Sequence, residues 1–238
     1  KKLTSFLKNS LPQEGYTGIY AHSMTLDTAS QKLLINLGHH ITGALLNCYS
    51  VDTHAENFAG LDIPFKHSLI VTCLSGDKKD AGPLYVPPVH AGYVKRVYES
   101  LGVAYSLRED AAGEPEGVFS ACAVTQMDEH RYCEFLVERI GLDFEKILGD
   151  TLDKYGAGEG QSFNAFINLN DPAAPRAYRL LEDRGFSFAG IHALSGACEY
   201  MILHYSPVLP IPFDRMAVLP GFSGEFAYIR EQYEKRKR

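Results

Sequence analysis

The sequence predicts an α+β chain of layered α/β type, with a mixed, mostly antiparallel central sheet flanked by helices. Three observations carry this. Segments of strand periodicity alternate with segments of helical periodicity through most of the 238 residues, an order that belongs to layered sheets and not to bundles or sandwiches. The composition, 45% hydrophobic and 22% charged, is that of a chain able to bury a core, which excludes disorder as its main state. Glycines stand where helical patterns stop, at Gly38, Gly102 and Gly185.

Leu3, Phe6, Leu7 and Leu11 recur at helical spacing and predict a helix over 1–10. Tyr16, Gly18 and Tyr20 alternate with Thr17, Ile19 and Ala21, a strand over 16–24. Asp27 is placed to cap a helix over 27–37, which leads to a strand over 41–49. A polar loop over 51–66 precedes a β-branched strand over 67–75, and the charged, glycine-bearing stretch 76–83 reads as a linker. Beyond it come a short strand at 84–86 and a helix opened by Pro87-Pro88 and running to Leu101. Strands over 103–107 and 118–126 flank a Gly/Pro/Glu loop, and a further strand covers 132–140. Asp143 is expected to cap a helix to Tyr155, and the Gly156 to Gly160 loop precedes a strand over 162–169. A helix over 172–184 starts near Asp171. Strands 187–194 and 198–205 form a hairpin across Ser195-Gly196. Prolines extend 206–213, and a last helix over 223–236 is expected to pack Phe226, Ile229 and Tyr233.

With 29 Asp+Glu against 23 Lys+Arg the net charge is -6, which argues against nucleic-acid binding. The basic end Lys235 to Arg238 reads as a solvated helix terminus. No apolar run reaches the roughly 18 residues of a membrane helix, so a soluble protein without membrane contact is expected. Cys48, Cys73, Cys122, Cys133 and Cys198 lack C-x-x-C spacing, and four of them sit in apolar strand runs. They read as buried thiols in a reduced, cytoplasmic setting, and no secretory signal is visible at residues 1–11. His22, His39, His40, Asp52 and His54 lack metal-ligand spacing, so no metal is expected.

A repeat is the most informative feature. Shifting the segment Asp27 to Leu46 by 147 positions superimposes Leu33-Leu34 on Leu180-Leu181, Gly38 on Gly185 and Gly43 on Gly190. In both places a strand precedes the helix and another follows it. The expected organisation is therefore an incomplete first copy over 1–78, a complete second copy over 79–206, and a tail with a terminal helix over 207–238. A helical stripe that starts at residue 1 suggests a piece of a longer protein.

At these residues the chain resembles the GNAT superfamily of acyl-CoA-dependent N-acetyltransferases. The resemblance rests on Thr28-Ala29-Ser30-Gln31 with Gly38, and on Ala177-Tyr178 with Gly185-Phe186. It implies an acyl-CoA N-acyltransferase-like fold. The strings Gly82 to Pro87, with His90 and Val97-Tyr98, and Leu180 to Gly190 resemble GNAT-type modules fused to bacterial anti-sigma-factor serine/threonine kinases. In the family a glycine-rich turn before a helix cradles the coenzyme A pyrophosphate; its place here is Arg139 to Phe144, without the glycine pattern and with Asp143 at the helix start. The resemblance makes Arg139 and Gly141, with Asp27 and Ser30 in the first copy, the candidate cofactor-binding residues, and acetyl-CoA the cofactor, with no pyrophosphate-loop motif to support it. The family's acid Tyr position is Leu181 or Leu34, with Tyr178 three residues away, so no catalytic residue is assigned. The expected function is a GNAT-like regulatory or sensory module of a larger bacterial signalling protein, binding a small ligand, a protein partner or a fused upstream domain. The rivals are an acetyl-CoA-dependent N-acetyltransferase with its site in the first copy, and an interaction module with no ligand.

Overall fold

The computed structural model describes residues 17–50, 65–76, 80–109, 113–156, 160–196 and 198–236. The expected helix over 1–10 and most of the 51–66 loop lie outside these residues. The strands are β1 (Gly18–Met24), β2 (His40–Tyr49), β3 (His67–Ser75), β4 (Asp80–Tyr85), β5 (Ala104–Arg108), β6 (Ala121–Met127), β7 (Tyr132–Arg139), β8 (Ser162–Asn168), β9 (Ser187–Ser195) and β10 (Cys198–Tyr205). Five helices occur among the described residues: α1 (Ala29–Asn36), α2 (Pro88–Leu101), α3 (Phe144–Tyr155), α4 (Ala174–Asp183) and α5 (Ser223–Arg236).

Eight strands join in one sheet ordered β1-β3-β2-β9-β10-β8-β7-β6, antiparallel except at β7–β8, while β4 and β5 pair in parallel by themselves. The segments β1-α1-β2-β3 and β8-α4-β9-β10 share one path. In each, the last strand inserts between the other two, giving β1-β3-β2 and β8-β10-β9. The two units meet through β2 and β9, where Gly43 pairs with Gly190, the positions that the 147-residue shift superimposes.

The expected layered sheet flanked by helices, of the acyl-CoA N-acyltransferase kind, is not the architecture found. The sheet curls into a half-barrel. Its two edge strands, β1 and β6, line the same hollow, although in a flat sheet seven steps of about 4.8 Å would hold them roughly 34 Å apart. The bending has local causes. Register shifts interrupt β2–β3 on either side of Ala44 and interrupt β9–β10 twice, and such bulges bend a strand and increase its twist. Asn47 and Leu194 sit at positive φ inside these irregular stretches. Helices α2 and α5 pack on β9 and α4 on β8, and among the described residues no helical residue lines the hollow. The core between them includes Tyr93, Val94, Val97 and Tyr98 of α2 with Phe186 and Phe188 at the start of β9.

The stretch 76–83 is not a linker throughout, because Asp80–Tyr85 forms β4. Its backbone is satisfied from the second unit. Tyr85 N donates to Leu169 O at 2.8 Å, and Asn170 Nδ2 donates to Ala81 O at 3.0 Å and Pro83 O at 2.9 Å. Asp143 does not cap α3 with its side chain. Its carboxylate instead accepts from Ser120 N at 2.7 Å and Ser120 Oγ at 2.8 Å, which ties the start of α3 to the approach to β6.

Lys66 and the C-terminal strap, the extended stretch 206–219, cross between the units. Lys66 Nζ is buried and donates to Ser162 Oγ at 2.7 Å, Arg131 O at 2.9 Å and Gly160 O at 3.3 Å, three acceptors for the three N–H bonds of an ammonium. Burial lowers its pKa to about 8, which leaves it protonated at pH 7. Lys66→Met strands these acceptors and is expected to remove about 3 kcal/mol of stability; an unchanged urea midpoint at pH 7 would refute this. Across the molecule, the buried Gln31 amide donates to Ala217 O at 2.7 Å and accepts from Leu219 N at 3.1 Å, pinning the strap to α1.

Candidate ligand cleft

The inside of the curl is a hollow of about 320 Å³, and every strand of the large sheet except β3 contributes to it. Strand alternation decides which residues face it. In β7, Cys133, Phe135 and Val137 turn into the core, so Glu134 and Leu136 face the hollow. In β8, Phe163, Ala165 and Ile167 are core, and Phe166 faces the hollow. The first unit supplies Tyr20, 52% exposed at the rim, with His22 beside it and Leu45 from β2. The second unit also supplies His192 and Tyr200 from β9 and β10, and the edge strand β6 adds Ala123 and Thr125.

The rings form a continuous wall. His192 meets Tyr20 edge to face with centroids 4.6 Å apart and Phe166 at 5.8 Å. Burial, with His22 alongside, lowers the His192 pKa to about 4, so the imidazole is neutral at pH 7. Glu134, on β7, is half-buried in the same hollow. Desolvation raises its pKa, and the Tyr132 hydroxyl, which donates to Oε1 at 3.3 Å, opposes that rise. Among the described residues Glu134 has no cationic partner. Among the described residues the hollow thus holds one carboxylate, without a cationic partner, in the company of aromatic rings and neutral imidazoles.

The residues singled out from sequence lie elsewhere. Asp27 Oδ1 accepts from Ala29 N at 2.7 Å at the start of α1, and Ser30 is exposed one turn on. Arg139 and Gly141 do come together, both on the 119–120 segment. Arg139 Nε donates to Phe119 O at 3.3 Å and Gly141 N to Ser120 Oγ at 2.9 Å. None of the four lines the hollow. Tyr178 and His90 belong to a packed cluster, with His90 Nε2 2.9 Å from the Tyr178 hydroxyl and its ring stacked on Phe188 at 4.0 Å. Glu134 and His192 were not legible as site residues. Alternation assigns each a face of its own strand, but only the curl turns those faces toward each other.

None of the five cysteines is in a disulfide, and burial pushes the Cys48 thiol up to about 12 and those of Cys122 and Cys133 up to about 11. At neutral pH none of these three is a thiolate nucleophile. No group of three or more His, Cys, Asp or Glu side chains arranged to hold a metal occurs among the described residues. No helix among them is long and apolar enough to cross a membrane. No family model matches the chain, and neither a curated protein nor a solved structure matches it.

Proposed function

We propose that the chain is a small-ligand-binding module of a regulatory or sensory kind, and that its ligand is a small organic cation seated in the hollow. The observation that carries this is Glu134, a half-buried carboxylate without a cationic partner among the described residues, set among Tyr20, Phe166 and Tyr200. A desolvated carboxylate is strongly stabilised by an N–H cation, and aromatic faces add cation–π attraction. The volume of about 320 Å³ falls at the small end of ligand pockets, which span roughly 300–1,000 Å³. Five cysteines outside any disulfide are consistent with a reduced, cytoplasmic setting. The resemblance of Gly82 to Pro87 and of Leu180 to Gly190 to modules fused to signalling kinases supports regulation and a protein partner or fused domain.

Benzylamine, with benzyl alcohol as its uncharged counterpart, tests the reading by calorimetric titration at pH 7.5. Benzylamine is expected to bind more tightly than benzyl alcohol, and Glu134→Gln to weaken it about tenfold or more, as loss of a charged hydrogen bond requires. Equal binding of the two compounds, or of benzylamine to both proteins, would sink it. A second reading has one observation in its favour. A carboxylate with a raised pKa beside an incoming amine is placed as a general base, so acyl transfer from acetyl-CoA to that amine is the rival. Release of free thiol from acetyl-CoA, dependent on both the amine and Glu134, would favour the rival.

A further inference from the structure

Behind Glu134 three buried side chains form a line of hydrogen bonds whose direction is fixed by chemistry. Asn164 on β8 presents its amide to Leu46 O at 3.3 Å and to the Tyr132 hydroxyl at 3.1 Å. A backbone carbonyl only accepts, so the Nδ2 side of the amide faces Leu46 and its second N–H serves Tyr132. Asn164 Oδ1 is then left to accept, and the nitrogen 3.3 Å away, His204 Nδ1 on β10, must carry the hydrogen. Having accepted from Asn164, the Tyr132 hydroxyl donates its own hydrogen to Glu134 Oε1 at 3.3 Å. Every bond therefore runs the same way, from His204 through Asn164 and Tyr132 to the carboxylate. All three donors are buried, whereas Glu134 alone opens into the hollow.

We propose that Tyr132, Asn164 and His204 are positioning residues, a one-way donor relay that fixes the Glu134 carboxylate, ionised, as the cation-binding group of the cleft. The inference rests on the reading of the hollow as a cation site and adds what makes that site selective. Donors aligned head to tail polarise one another, and the carboxylate at the end of the chain gains more than it would from an isolated phenol. The relay also opposes desolvation, which pulls Glu134 toward its neutral, cation-blind form. A neutral His204 is needed at the far end, and burial together with the Lys66 charge holds its pKa down to about 3. The groups facing Glu134 do not interfere. Its cross-strand partners are Thr125 and Asn164. Cys48 and Tyr49 of β2 reach it electrostatically with their pKa values raised, so both are neutral at pH 7. His22, His192, Tyr20 and Tyr200 stand around the same hollow.

The titration of the Glu134 carboxyl carbon, assigned by its loss in Glu134→Gln, tests the relay by NMR without any ligand. Tyr132→Phe removes the terminal donor and is expected to lower the acid dissociation constant of Glu134 about tenfold, the loss of a hydrogen bond to a charged group. His204→Leu should move it the same way by less, and His204→Asn, which offers an amide N–H near the old Nδ1 position, should restore part of the change. A Glu134 titration unmoved in both Tyr132→Phe and His204→Leu would overturn the relay, and either variant suffices if the other does not fold. If Glu134 shifts as expected while benzylamine fails to bind the unaltered protein, the relay stands and the cation-site reading falls.

Discussion

Lowering the pH from 7 to 5 is expected to remove about 6 kcal/mol of folding stability, a large part of the roughly 5–15 kcal/mol that a folded domain commonly has in total. Three buried histidines carry this. His90, His192 and His204 are neutral in the fold, with pKa values lowered by burial to about 3, about 4 and about 3. Unfolding returns each to about 6.5. Below pH 6.5 the unfolded chain takes up protons that the folded chain does not, so stability falls as the pH falls and goes on falling until the folded values are reached. At pH 5 each histidine has lost about 1.5 pH units at roughly 1.4 kcal/mol per unit, or about 2 kcal/mol. Lys235 and Arg236 add to the effect at His90, and Lys66 to that at His204, because a nearby cation disfavours an imidazolium. Glu134 works in the opposite direction, since its raised pKa favours the folded state as it protonates. Urea melts followed by circular dichroism at pH 7, 6 and 5 measure the sum. A midpoint that stays constant over that interval would show that the three imidazoles are not desolvated.

The second large effect is at the seam. Gly190 has φ +123, and a Cβ built on it would lie 2.2 Å from Gly43 Cα and 2.7 Å from Thr42 O. Both obstacles are backbone, so nothing flexible can give way. Gly190→Ala must strain the backbone or separate β2 from β9, and a loss of about 4 kcal/mol or more is expected, roughly 10 °C in Tm for a chain of this size. Gly43→Ala should be milder, because its Cβ would stand 3.0 Å from Ala189 O and 3.1 Å from Gly190 Cα. The seam also holds the cleft together, since Tyr20, His22 and Leu45 stand on one side of it and His192, Tyr200 and Glu134 on the other. Gly190→Ala should therefore weaken benzylamine binding even at temperatures where the protein is still folded. Unchanged Tm and unchanged binding would show that the sheet does not depend on close approach at this pair.

Much of the local structure is legible because its causes are local. The strand His67–Ser75 and the hairpin strand Cys198–Tyr205 follow from β-branched and aromatic runs, and α2 begins at Pro88 and closes at Gly102 in the left-handed conformation its pattern requires. Gly43 and Gly190, which the 147-residue shift superimposes in sequence, are also the pair through which β2 and β9 meet. Where expectation and structure part, the decisive contacts are distant. Asp143 reads as a cap from its neighbours, but Ser120, 23 residues away, takes its carboxylate. Stretch 76–83 reads as a linker because strand pairing with β5 and the Asn170 amide leave no mark in its own composition.

By itself the sequence determined the alternation of strands and helices and the spacing that sets Gly43 in register with Gly190. Those follow from periodicity, capping and identity at fixed spacing, which are properties of a few neighbouring residues. Only the tertiary structure decided that the sheet would curl and that β1 and β6, at its opposite edges, would share one hollow. Strand alternation leaves the sign and extent of curvature open. Register shifts and the close seam at Gly43 and Gly190 set them, and with them the meeting of Glu134 with the aromatic wall.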